Sequence, residues 1–172
     1  YILSDPDMLN AMKTLPKYYG SSTYSKTIER NELLDTLNSG ISMYYINSNF
    51  YRVIIFNEFG DVASSTNTGS KITNKARNTT AIDWLDSAAR RHGKPILVAP
   101  HMDGWGIRES EEVFSLVRKV QGGDFGYIEV QYATEKLKDI FEIPDSDIKV
   151  VAFLPGGHVL YLSLIHISEP TR

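Results

Sequence analysis

Apolar residues recur at helical spacing in the first forty or so positions, switch to strand-like runs, and then alternate between the two modes. Met8, Leu9, Met12 and Leu15 share one face of residues 5–15, and Asp5 followed by Pro6 is a helix start. A polar, tyrosine-rich connection follows. Ile28, Leu33, Leu34 and Leu37 then predict a second helix over 27–38. Residues 51–56 and 62–65, around a turn at Glu58–Asp61, read as a hairpin, and the Thr, Asn, Ser and Gly-rich residues 66–79 read as a long surface loop. A helix over 80–93 places Ile82, Leu85 and Ala89 together and stops at Gly93. Strand 95–99 leads into Pro100. Strand 112–120, a turn at Gly122–Gly123–Asp124 and strand 125–133 follow. In the last of these, Ile128, Val130 and Tyr132 face one way, and Tyr127, Glu129 and Gln131 the other. A short amphipathic helix over 134–143 precedes a hairpin that turns at Pro155–Gly156–Gly157. Helices and hairpins in this order predict an α+β domain, an antiparallel sheet flanked by helices.

Composition narrows the function classes. The 172 residues suit one domain of ordinary size, and the formal charge of -3 offers no basic field for nucleic acid. Cysteine is absent, which removes disulfides, zinc–thiolate sites and cysteine nucleophiles. No window approaches the ~18 apolar residues of a membrane span. The chain opens at Tyr1 without a methionine and reads as an excerpt of a longer protein. Its final stretch, Leu162 to Arg172 ("LSLIHISEPTR"), resembles one reading frame of a sequencing-library adaptor, so His166 is set aside as a site candidate.

Candidate chemistry gathers after the third predicted strand. In "ILVAPHMDGWG", His101, Asp103 and Trp105 stand at alternate positions. Two close donors fall short of a metal site, and no nucleophile elbow accompanies them. The readings that remain are a ligand-binding lip and a plain polar loop. Arg118 shares a strand face with Phe114, Leu116 and Val120, so it needs an acceptor, either a ligand or a carboxylate such as Asp103. Trp84 is a core residue or a stacking wall, and Gln131 lines a cavity if both sheet faces are covered. Arg118 and Trp84 are expected to project into one cavity. No catalytic group, metal or cofactor is expected.

Four passages carry a resemblance: "VIIFNEFGDVASS", "DWLDSAARRHGKPILVAPH", "VFSLVRKVQGGDFGYIEVQYATEKL" and "IKVVAFLPGGHVLYL". Together they are similar to the double-Cache, PAS-like extracellular sensory domain of bacterial membrane histidine kinases. The resemblance implies a long N-terminal helix beside the sheet and a small-molecule pocket. It divides the chain into a helical stalk (1–45), a membrane-distal unit (46–147), the first hairpin of a truncated proximal unit (148–161) and the adaptor-like tail (162–172). It further implies a membrane-anchored parent, an extracellular-facing domain and a homodimer through the N-terminal helix. Amino-acid-binding members of the wider family carry an Arg three residues before the helix Trp and an Asp after the Val of the later strand. Here those positions hold Ala81 and Gln131. Free amino acids are therefore expected to be doubtful ligands and a saccharide the better candidate. The alternatives are the sensory domain of a chemoreceptor, an enzyme or metal-binding protein using His101 and Asp103, and a spacer without a ligand.

Overall fold

The computed structural model describes residues 4–42, 51–65, 82–105, 111–141, 150–154 and 157–162. The 66–79 loop, the Pro155–Gly156 part of the last turn and the 163–172 tail lie outside them.

Helix α1 spans Pro6–Thr14 and begins as its sequence demands. The Asp5 carboxylate accepts from the Asp7 and Met8 amides at 2.9 and 3.1 Å, satisfying donors that have no partner inside the helix. A 3-10 turn, Leu15–Tyr18, leads towards α2, Tyr24–Ser42. The second helix is longer at both ends than the 27–38 that its apolar stripe marks. Its first turn is exposed, with Tyr24 at 81%, so no buried face announces it in the sequence.

The strands are β1 (Arg52–Phe56), β2 (Val62–Ser64), β3 (Ile96–Met102), β4 (Glu112–Lys119) and β5 (Tyr127–Ala133). They form one antiparallel sheet in the order β2-β1-β5-β4-β3. Short helix α3 (Leu85–Arg90) precedes β3 and α4 (Lys136–Phe141) follows β5. Strands β6 (Val151–Phe153) and β7 (Val159–Leu162) make a separate hairpin. The architecture is the α+β arrangement that the apolar pattern predicts.

Strand β3 runs through Pro100 instead of stopping before it. It is an edge strand, where a missing N–H removes no ladder bond, and its register shifts between Val98 and His101. Helix α3 ends at Arg90, short of the expected 80–93, and the chain then turns through His92 and Gly93, both at positive φ, 49° and 76°.

Each sheet face has its own core. Val53, Ile55, Ala63 and Ile128 pack against Met8, Ala11, Met12, Leu37 and Ile41 of the two long helices. On the opposite face Ile54, Phe56, Val117 and Tyr127 pack with Ala88, Trp105 and, half-buried, Trp84 and Leu85. Arg30 of α2 pairs with Asp61, tying that helix to the β1–β2 turn. Within the turn, the Asn57 side-chain oxygen accepts from the Phe59 and Asp61 amides, both at 3.0 Å. No helix among the described residues is long and apolar enough to cross a membrane.

Candidate functional site

The face away from α1 and α2 carries a buried polar floor. Strand pairing puts Arg52 beside Gln131, Ile54 beside Glu129 and Ser115 beside Gln131. Residues two apart on a strand share a face, so these side chains meet although they lie far apart in sequence. Arg52, Ser115, Glu129 and Gln131 are exposed by 1% or less and Asp103 by 2%.

Asp103 joins the floor from the residue after β3. Its amide donates to the Glu111 carbonyl at 2.8 Å, which fixes the start of the excursion towards β4. The carboxylate meets the Arg52 guanidinium through two contacts, Nη1–Oδ1 at 3.2 Å and Nη2–Oδ2 at 3.1 Å. Gln131 Nε2 donates to Asp103 Oδ1 at 3.3 Å and to Glu129 Oε1 at 3.2 Å. Ser115 donates its hydroxyl to Glu129 Oε1 at 2.7 Å, and the Trp105 indole donates to Glu129 Oε2 at 2.8 Å. His101 lies at the margin, with Nε2 3.9 Å from Glu129 and Nδ1 2.8 Å from the Ala99 carbonyl.

Two charges of opposite sign therefore pair, and a second carboxylate lies among neutral donors. Burial pushes the Glu129 carboxyl above its ordinary range, against the opposing pull of the Ser115, Trp105 and Gln131 hydrogen bonds and the nearby His101. Among the described residues, Nε of Arg52 and Oε1 of Gln131 are buried without a hydrogen-bond partner. Such groups are costly to leave unsatisfied inside a protein.

The sequence candidates divide. His101, Asp103, Trp105 and Gln131 come together at this floor. Trp84 stands beside it, with its ring edge-on to Phe56 at 5.9 Å. Arg118 does not join them. It pairs with Ile128 in register, on the helix-backed face of the sheet, and its side chain is exposed there. Arg118 and Trp84 thus lie on opposite faces and share no cavity. The cation that takes Asp103 is Arg52. His101 and Asp103 form no catalytic pair, because His101 turns to Ala99 and Glu129 while Asp103 turns to Arg52. No group of three metal-ligating side chains gathers among the described residues.

Arg52 and Glu129 are both buried in the floor and were absent from the candidates drawn from sequence. Their signal was present. Each is a charged residue in an apolar strand, Arg52 at the start of "YRVIIF" and Glu129 inside "FGYIEVQYA", and burial of both faces sets them into the floor.

No protein-family model and no curated protein matches the sequence. Solved structures do match. The sensory domain of the Campylobacter jejuni chemoreceptor Tlp3 with isoleucine bound has a TM-score of 0.58 at 15% identity, over 89% of this chain and 60% of that one. The ligand-binding domain of the Pseudomonas aeruginosa PAO1 chemoreceptor PctB with L-Gln has a TM-score of 0.55 at 15% identity, over 84% and 57%. The same domain with L-Arg has a TM-score of 0.54 at 18% identity, over 90% and 59%. The chain spans 57–60% of the length of these solved domains.

These neighbours overturn the expectation that free amino acids are doubtful ligands, since all three hold one. That expectation looked for a cation and an acid at two positions only, Ala81 and Gln131. The fold supplies buried charges of both signs elsewhere on the same face, at Arg52, Asp103 and Glu129. The chain has the α+β fold of a PAS-like, Cache-type sensory domain.

Proposed function

We propose that this chain is the ligand-binding part of an extracellular sensory domain whose parent receptor is anchored in the membrane, and that it takes a free amino acid. Residues 46–147 then form the distal unit and 148–161 open a second one. The observation that carries this reading is the buried floor of Arg52, Asp103, Glu129 and Gln131, with an orphaned guanidinium Nε and an orphaned amide oxygen. Recognition sites pair apolar walls with a few placed polar groups. Phe56, Trp84 and Trp105 supply the walls here. An α-amino acid brings a cation for the two carboxylates and an anion for Arg52. The domain binds and does not transform its ligand.

A chemoreceptor output is favoured over the histidine kinase implied by the sequence resemblance, because the solved domains described above come from chemoreceptors. The reading frame that follows in the gene separates the two outputs.

A thermal-shift screen of the chain against the standard L-amino acids tests the ligand class. A true ligand at a hundred times its dissociation constant stabilises the protein by about 2.7 kcal/mol. A folded protein that responds to no amino acid would rule this reading out.

A further inference from the structure

Trp105 holds both buried carboxylates at once. Its backbone N–H donates to Asp103 Oδ1 at 3.0 Å and its indole N–H to Glu129 Oε2 at 2.8 Å. The ring lies 4.8 Å from Phe56, tilted by 47°, and the residue is 4% exposed.

The two oxygens of Glu129 are not equivalent. Oε1 accepts from Ser115 and from Gln131, both rooted in the sheet ladder. Among the described residues, Oε2 accepts from the Trp105 indole alone. Trp105 itself lies beyond the end of β3, outside the ladder. It follows Gly104, which is exposed and has open space where a side chain would stand. The donor that occupies Oε2 is therefore, among the described residues, the one hydrogen-bond donor to Glu129 that stands outside the strand ladder. An ammonium group has three donors and no acceptor, so it needs the same oxygen.

We propose that Trp105 is a built-in competitor for the cationic head of the ligand, and that the indole must leave Glu129 for an amino acid to bind. This rests on the amino-acid reading given above. Ligand binding then moves Asp103–Trp105 as a unit, because one residue touches both carboxylates. Affinity is set by the difference between two donors to one carboxylate, not by the strength of either.

Trp105→Phe keeps a ring against Phe56 and removes the indole N–H. Isothermal titration with the L-amino acid that most stabilises the wild-type chain should show binding about tenfold tighter, the scale of one hydrogen bond to a charged group. Equal or weaker binding would make Trp105 an ordinary wall and overturn the proposal. Fluorine NMR of the unsubstituted chain labelled with 5-fluorotryptophan covers the case in which that variant fails to fold. Its two resonances, assigned with Trp84→Phe, should part on saturation, with Trp105 alone moving to a solvent-exposed shift. Binding that leaves the Trp105 resonance in place overturns this inference and spares the ligand class. Binding of no amino acid at all overturns both.

Discussion

Glu129 is the residue whose titration matters most. Burial raises its carboxyl from the ordinary value of 4.5, so between 4.5 and the folded value the folded protein keeps a proton that the unfolded chain has released. Stability from this group is fully present below 4.5 and is lost as pH rises through the folded value. The ionisable group acting on it is His101 at 3.9 Å, and the Asp103–Arg52 pair joins it through Gln131 and Trp105. Denaturation midpoints of the wild type should fall as pH rises from 4.5, and Glu129→Gln should flatten that slope; a parallel slope in the variant assigns it to other groups. The two arginines give the sharpest contrast. Arg52→Met leaves Asp103 buried and uncompensated and should cost about 3–5 kcal/mol in urea unfolding. Arg118→Ala removes an exposed side chain and should change stability by no more than about 0.5 kcal/mol. The sequence revealed Asp103, Trp105 and Gln131 because each stands beside a break or an alternation that can be read locally. Arg118 was misplaced for a physical reason: strand parity gives which residues share a face, but not which face the helices cover.

Among the elements, the strands were the most legible, because period-2 alternation with β-branched residues needs no tertiary partner to be recognised. Strands β1, β4 and β5 lie within two residues of their expected bounds. The helices were less so. Helix α2 begins with an exposed turn that no apolar stripe marks, its far end carries the stripe on to buried Ile41, and α3 is only Leu85–Arg90. One glycine fixes the entry to β5. Gly126 has φ 104°, and a Cβ there would stand 2.1 Å from the Phe56 carbonyl oxygen, backbone that cannot swing aside. Its own carbonyl accepts from the Val120 amide at 2.9 Å, closing the β4–β5 turn. Gly126→Ala should destabilise the domain by more than about 1 kcal/mol, read as a lowered denaturant midpoint at unchanged m-value. A midpoint equal to that of the wild type would show that the turn can yield.

Across the whole molecule, stability is unevenly spread. Strand β5 is flanked on both sides by paired strands and has cores above and below it, whereas β6 and β7 form a two-stranded ribbon with Val151, Phe153, Val159 and Leu162 exposed. Isolated two-stranded ribbons are marginal in water. Amide exchange should therefore be slowest in Ile128–Val130 and orders of magnitude faster in β6 and β7. Comparable protection in both would mean that the ribbon is held by something stronger than its own ladder. The slip in β3 has a consequence of another kind. Val98 and His101 are three positions apart yet both pair onto the Ser115 and Val113 side of β4. One extra residue thus resets the phase of the strand and delivers the imidazole to the acidic floor. Straightening the bulge at the present length would swing the ring to the outer surface, whereas deleting either Ala99 or Pro100 would leave Val98 and His101 two apart and the ring on the floor. The histidine therefore reaches the polar floor only while this stretch either bulges or is one residue shorter.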